Sequence, residues 1–210
     1  MNQNILVEDF SKSALDPRLN WHCPPEKWSI YNSRLVIEPD AKTDFWQKTH
    51  YGFSADNGHF LYLSLDGDFI LSTTVRFYPA NQYDQAGLMV RLSPNYWLKT
   101  SVEYEPEGPS RLGAVVTNYG YSDWSTQNYL TEDNELELRV RREGDDYIVE
   151  YSKMGPSGAE QAEKDWTQIR IAHLHNADKQ PIQCGLYACS PIAAGFRAEF
   201  ENLTIEAGRI

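Results

Sequence analysis

Short stretches in which apolar and polar residues alternate recur along this chain, and proline closes several of them. Residues 67–79 (GDFILSTTVRFYP), 85–94 (QAGLMVRLSP) and 96–106 (YWLKTSVEYEP) end on Pro79, Pro94 and Pro106. Proline has no N–H to give to a ladder, so it stands at strand ends and not inside a sheet. A period of two sends one set of side chains to a core and the other to solvent. The same pattern occurs at residues 4–10, 27–39, 110–118, 134–144, 146–155, 165–174, 180–190 and 195–205. Tyr31-Asn32-Ser33-Arg34 and Glu143-Gly144-Asp145-Asp146 carry the residues of hairpin turns. About ten to twelve closely spaced strands, with no repeat or linker, predict an all-β sandwich of two antiparallel sheets. Both ends of the chain read as strands, which predicts that they pair and close the domain. Residues 155–165 are the most loop-like stretch and read as an insertion or a short helical turn.

Composition narrows the setting. Hydrophobic residues make up 41% of the chain and charged residues 23%, the balance of an ordinary globular protein, and one domain over residues 1–210 is expected. The net charge of −11 opposes nucleic acid as a partner, because phosphate binding needs a clustered positive field. Cys23, Cys184 and Cys189 are an odd number without metal-site spacing, and each reads as a small core residue. No leader-like or membrane-spanning apolar run is visible, so a cytoplasmic protein with reduced thiols and no membrane partner is expected.

The outward set of the central strands is charged. Arg76, Arg91, Lys99, Glu103, Arg139 and Arg141 alternate with apolar neighbours, which predicts one shared outer face. Mixed charge on a wet face is ordinary for an antiparallel sheet. In a chain this acidic the cluster also suits an anionic or hydroxyl-rich ligand, with Arg91 and Lys99 holding the anionic group.

Loops supply the remaining candidates. Residues 40–60 hold Trp46, His50 and His59; residues 81–91 hold Tyr83, Asp84 and Gln85; residues 118–125, read as a loop, hold Trp124. Sugar recognition combines flat rings with side chains that hydrogen-bond vicinal hydroxyls. Trp46 and Trp124 are the expected stacking platforms, with Asp84 and Gln85 on hydroxyls. The same two tryptophans also suit a packed rim under long loops. Catalysis on a glycoside would use Glu103 and Asp84 with His50 or His59 as acid–base groups, since glycosidases need two facing carboxylates. No nucleophile elbow, phosphate loop or histidine metal motif is present, and no cofactor is expected.

Six strings in order, TDFWQKTHYGF, DNGHFL, YDQAGLMVR, WLKTSVEYE, VVTNYGYSDWS and ACSPIAAGFRAEF, resemble a domain-of-unknown-function family. It lies in the concanavalin A-like lectin/glucanase superfamily and includes a yeast regulator of enolase. The start of the chain also resembles β-sandwich modules attached to β-xylosidases. The resemblance implies a jelly-roll sandwich of two curved sheets whose concave face binds glycans in relatives. It further implies a role in sugar metabolism, with a glycolytic enzyme as a possible protein partner. A structural calcium between the first and last strands, near Asp9 and Glu201, is implied in the same way. The acidic ExDxE run of the glucanase branch is missing from this sequence, which counts against glycosidase chemistry.

Overall fold

The computed structural model describes residues 3–130, 134–153, 165–175 and 180–208, and every regular element among them is a strand. In chain order these are β1 (Asn4–Glu8), β2 (Asn20–His22), β3 (Lys27–Ile30), β4 (Leu35–Glu38), β5 (Phe45–Gln47) and β6 (Ser54–Asp56). Next come β7 (His59–Leu65), β8 (Phe69–Tyr78), β9 (Gln85–Ser93), β10 (Tyr96–Glu103), β11 (Ser110–Asn118) and β12 (Tyr121–Tyr129). The last six are β13 (Glu135–Glu143), β14 (Asp146–Lys153), β15 (Thr167–His173), β16 (Ile182–Cys189), β17 (Arg197–Phe200) and β18 (Leu203–Ala207).

They form the expected antiparallel sandwich. A nine-stranded sheet runs β15-β14-β13-β8-β17-β4-β3, with β18 also on β8 and β1 on β18. A seven-stranded sheet runs β12-β11-β10-β9-β16-β7-β2. The first and last strands pair, as their sequences predict. Leu88, Val90, Leu98, Val102, Leu136, Leu138 and Val140 all point into the core between the sheets. The 31–34 turn is a two-residue hairpin with Asn32 and Ser33 at positive φ, and Gly144 takes φ 65° in the other. Such mirror-image turns match the right-handed strand twist.

Three expectations change. Residues 118–125 are not a loop: Tyr119 and Gly120, at φ 54° and 72°, turn the chain straight into β12. This strand lies at a sheet edge and is mostly polar, so alternation marks it weakly. Residues 195–205 are two strands, β17 and β18, broken where the Asn202 side chain takes the place of a ladder partner and accepts the N–H of Thr74. The six charges do not share a face. Arg76, Arg139 and Arg141 stand on the nine-stranded sheet beside Glu135, Glu150 and Glu201, whereas Arg91, Lys99 and Glu103 stand on the other sheet. The 155–165 stretch lies outside the described residues except for Asp165.

Candidate functional site

The middle of the outer face of the seven-stranded sheet is covered. Phe45 and Trp46 pack onto Phe60, Met89, Trp97, Val115, Tyr187 and Cys189 of the sheet in a second apolar cluster. The cover is the β5–β6 hairpin, within the 40–60 segment whose residues suggest a loop. Phe45 is fully buried, its ring centroid 6.3 Å from those of both Trp97 and Tyr187. A Cβ at Gly58 would come within 2.3 Å of the Phe45 ring, so only glycine lets the ring seat here.

Two ion pairs pin the hairpin from below. Lys99 meets Asp44 at 3.3 Å, and Arg91 meets Asp56 at 2.7 Å. The backbone N–H of Gln47 donates to Ser122 Oγ at 2.9 Å on β12, which ties the far side. Lys99 and Arg91 are only 3% and 8% exposed. They are therefore not the open anion-binding pair expected from alternation; each is committed to a carboxylate of the hairpin. Charges held this far from water are kept because they are paired.

Between hairpin and sheet lies a cavity of about 420 Å³. Gln85, Lys99, Glu103, Val115 and Trp124 form its floor, and Trp46, Tyr51, Phe53 and Ala55 of the hairpin form one wall. Asp44 reaches in from the root of the hairpin, and Lys42, Tyr83, Pro191 and Ile192 stand around the rest. Its size and mainly apolar lining with a few convergent polar groups are those of small-molecule sites. The indole N–H of Trp46 donates to the Thr49 carbonyl at 3.0 Å, satisfying its polar edge within the hairpin.

The polar floor is ordered by a relay. Tyr187 donates its hydroxyl proton to Gln85 Oε1 at 3.2 Å, which turns Gln85 Nε2 toward Glu103 Oε2 at 2.8 Å. Gln85 and Glu103 are direct cross-strand partners on β9 and β10, so register alone brings them together. Burial pushes the Glu103 carboxyl up to about 7; Lys99 pulls it down, while Asp44 and Glu105 add to the rise. A carboxyl held near neutrality facing a cavity is the kind of perturbed group that marks functional sites.

Of the ten expected ligand-binding residues, Trp46, Tyr83, Gln85, Lys99, Glu103 and Trp124 line this cavity. The other four do different work. His50 is exposed in the segment joining β5 and β6, its ring against Tyr51. His59 is buried: the Asp40 N–H donates to its Nε2, so its proton sits on Nδ1 and goes to the Cys23 carbonyl. Asp84 is buried and accepts the N–H groups of Ala80 and Asn81, closing a turn. Arg91 holds Asp56. The expected catalytic set of Glu103, Asp84 and His50 therefore does not converge. Near the termini, Glu201 Oε1 is occupied by Arg34 and Arg76, and Asp9 caps Ser11. Among the described residues no group of His, Cys, Asp or Glu is placed to hold a metal ion. Phe53, Ala55, Val115, Pro191 and Ile192 were not foreseen as lining residues, and nothing in their residue types signals a site.

The family described as protein of unknown function (DUF1349) matches residues 21–208. Regulation of enolase protein 1 of Saccharomyces cerevisiae is 34% identical over 187 residues, covering 89% of this chain and 88% of that protein. The crystal structure of a functionally unknown protein from Saccharomyces cerevisiae superposes with a TM-score of 0.81 at 31% identity, covering 92% of this chain and 98% of that one. A xylan β-1,4-xylosidase from Bacillus halodurans C-125 reaches a TM-score of 0.73 at 14% identity, covering 95% of this chain. This chain spans only 38% of the xylosidase, and that likeness is one of fold. The chain belongs to the DUF1349 family over nearly its whole length.

Proposed function

We propose that the protein binds a small carbohydrate or sugar metabolite in the cavity beneath the β5–β6 hairpin, in the cytoplasm, as a binding and regulatory module. The observation that carries this reading is the convergence of Trp46, Trp124, Tyr51 and Phe53 with Glu103 and Gln85 around one cavity open at its mouth. Rings offer faces to the C–H side of a sugar, and the carboxylate and amide meet its hydroxyls. Binding is favoured over turnover because Asp44, the carboxylate that shares the cavity with Glu103, already has its charge answered by Lys99. An odd number of free thiols, two of them buried, supports a reducing compartment.

A second reading is a docking module for a glycolytic enzyme. It is favoured by the exposed Tyr51 (58%), Phe53 (46%) and Ile192 (53%) at the cavity mouth, and by the name of the yeast relative. One experiment separates the two. Calorimetric titration with a panel of mono- and oligosaccharides is expected to give saturable binding, weakened about tenfold or more by Trp124→Ala. Flat titrations at millimolar ligand, together with binding of purified enolase, would replace the first reading by the second.

A further inference from the structure

Below the mouth of the cavity, the charged groups that the fold leaves with an open position are of one sign. Lys99 has its charge answered by Asp44, and its ammonium lies 5.7 Å from the ring centroids of both Trp97 and Tyr187. Arg91 is turned to Asp56 and does not line the space. Lys42, the remaining cation, stands exposed at the mouth, where solvent screens it. On the acidic side, Asp44 Oδ1 takes Lys99 and the Phe45 N–H, while Oδ2 accepts from no described residue. Glu103 Oε2 takes Gln85, while its Oε1 accepts from no described residue. Of the buried charges, what remains is two carboxylate oxygens, beside the Tyr51 and Tyr83 phenols and the rings of Trp46, Trp124 and Phe53. Carboxylates and the negative faces of aromatic rings both attract a cation, and both repel a phosphate.

We propose that the ligand carries a protonated amine seated between Glu103 and the aromatic wall. Resting on the carbohydrate reading, the ligand is an amino sugar and not a sugar phosphate. The ammonium takes Glu103 Oε1, and the sugar ring lies along Trp46 and Trp124.

The test is calorimetry at pH 7 and low salt with glucosamine, glucose, glucose 6-phosphate and tetramethylammonium chloride, on the wild type and on Glu103→Gln. Glucosamine is expected to bind at least tenfold more tightly than glucose, and glucose 6-phosphate more weakly than either. In Glu103→Gln, shown to be folded by its melting curve, the gap between glucosamine and glucose is expected to shrink below threefold. Equal affinity for glucosamine and glucose overturns the amine assignment and leaves the carbohydrate reading standing. Tightest binding of the phosphate overturns it as well. Binding of tetramethylammonium with flat sugar titrations supports the amine and removes the sugar. Flat titrations throughout remove both.

Discussion

Glu103→Gln is expected to stabilise the folded protein at pH 8 while removing its preference for an amine-bearing ligand. Burial holds the Glu103 carboxyl near 7 in the folded chain, against 4.5 for an ordinary glutamate. Below about pH 4.5 both states keep the proton, and whatever the neutral carboxyl contributes is fully present. As the pH rises from there through 7 the unfolded chain ionises first, so that contribution is lost. Solvent reaching the cavity reduces the effect, leaving about 1–2 kcal/mol at pH 8. Glutamine keeps the oxygen that accepts from Gln85 and never ionises. The variant is therefore expected to melt roughly 3–6 °C above the wild type at pH 8 and to match it near pH 4.5. A site kept at a cost to stability is a mark of function. If the variant melts below the wild type at both pH values, Glu103 is a structural residue.

Phe45→Ala is expected to release the hairpin and leave the sandwich folded. The ring is fully buried against Trp97 and Tyr187, and truncating a buried phenylalanine costs about 3–5 kcal/mol. The apolar cluster it anchors is separate from the core between the sheets, so the loss should fall on the hairpin first. Amides of β5, β6 and their connecting segment are expected to exchange at least 100-fold faster with hydrogen–deuterium exchange detection, corresponding to about 3 kcal/mol. Those of β9, β10 and β16 should change far less. Ligand binding should disappear, because Trp46, Tyr51 and Phe53 leave with the hairpin. Uniformly faster exchange over both sheets would show instead that hairpin and sandwich unfold as one unit.

The sandwich was legible because period-two alternation and strand-ending prolines are local signals. Leu98 and Val102 face the core, and Lys99 and Glu103 face away, as their positions in β10 require. Alternation tells inside from outside for each strand, but not which sheet the strand joins. That is why Arg139 and Arg141 were grouped with Arg91 although they stand on the opposite side of the sandwich. The cover over the seven-stranded sheet was illegible for another reason. β5 and β6 are three residues each, too short for a period to show, and their ties run between distant positions. Lys99 finds Asp44, and Arg91 finds Asp56, only once the hairpin has folded back. Of the site, the residue types at Trp46, Gln85, Glu103 and Trp124 were informative. The burial that shifts Glu103 belongs to the tertiary structure alone.

Ligand-dependent hydrogen exchange puts the location of the binding site to the test most directly. With saturating glucosamine, amides of residues 44–56 and 99–103 are expected to gain protection, while β13 to β15 on the far sheet stay unchanged. Protection that falls on the nine-stranded sheet, or nowhere, would contradict a ligand seated under the hairpin.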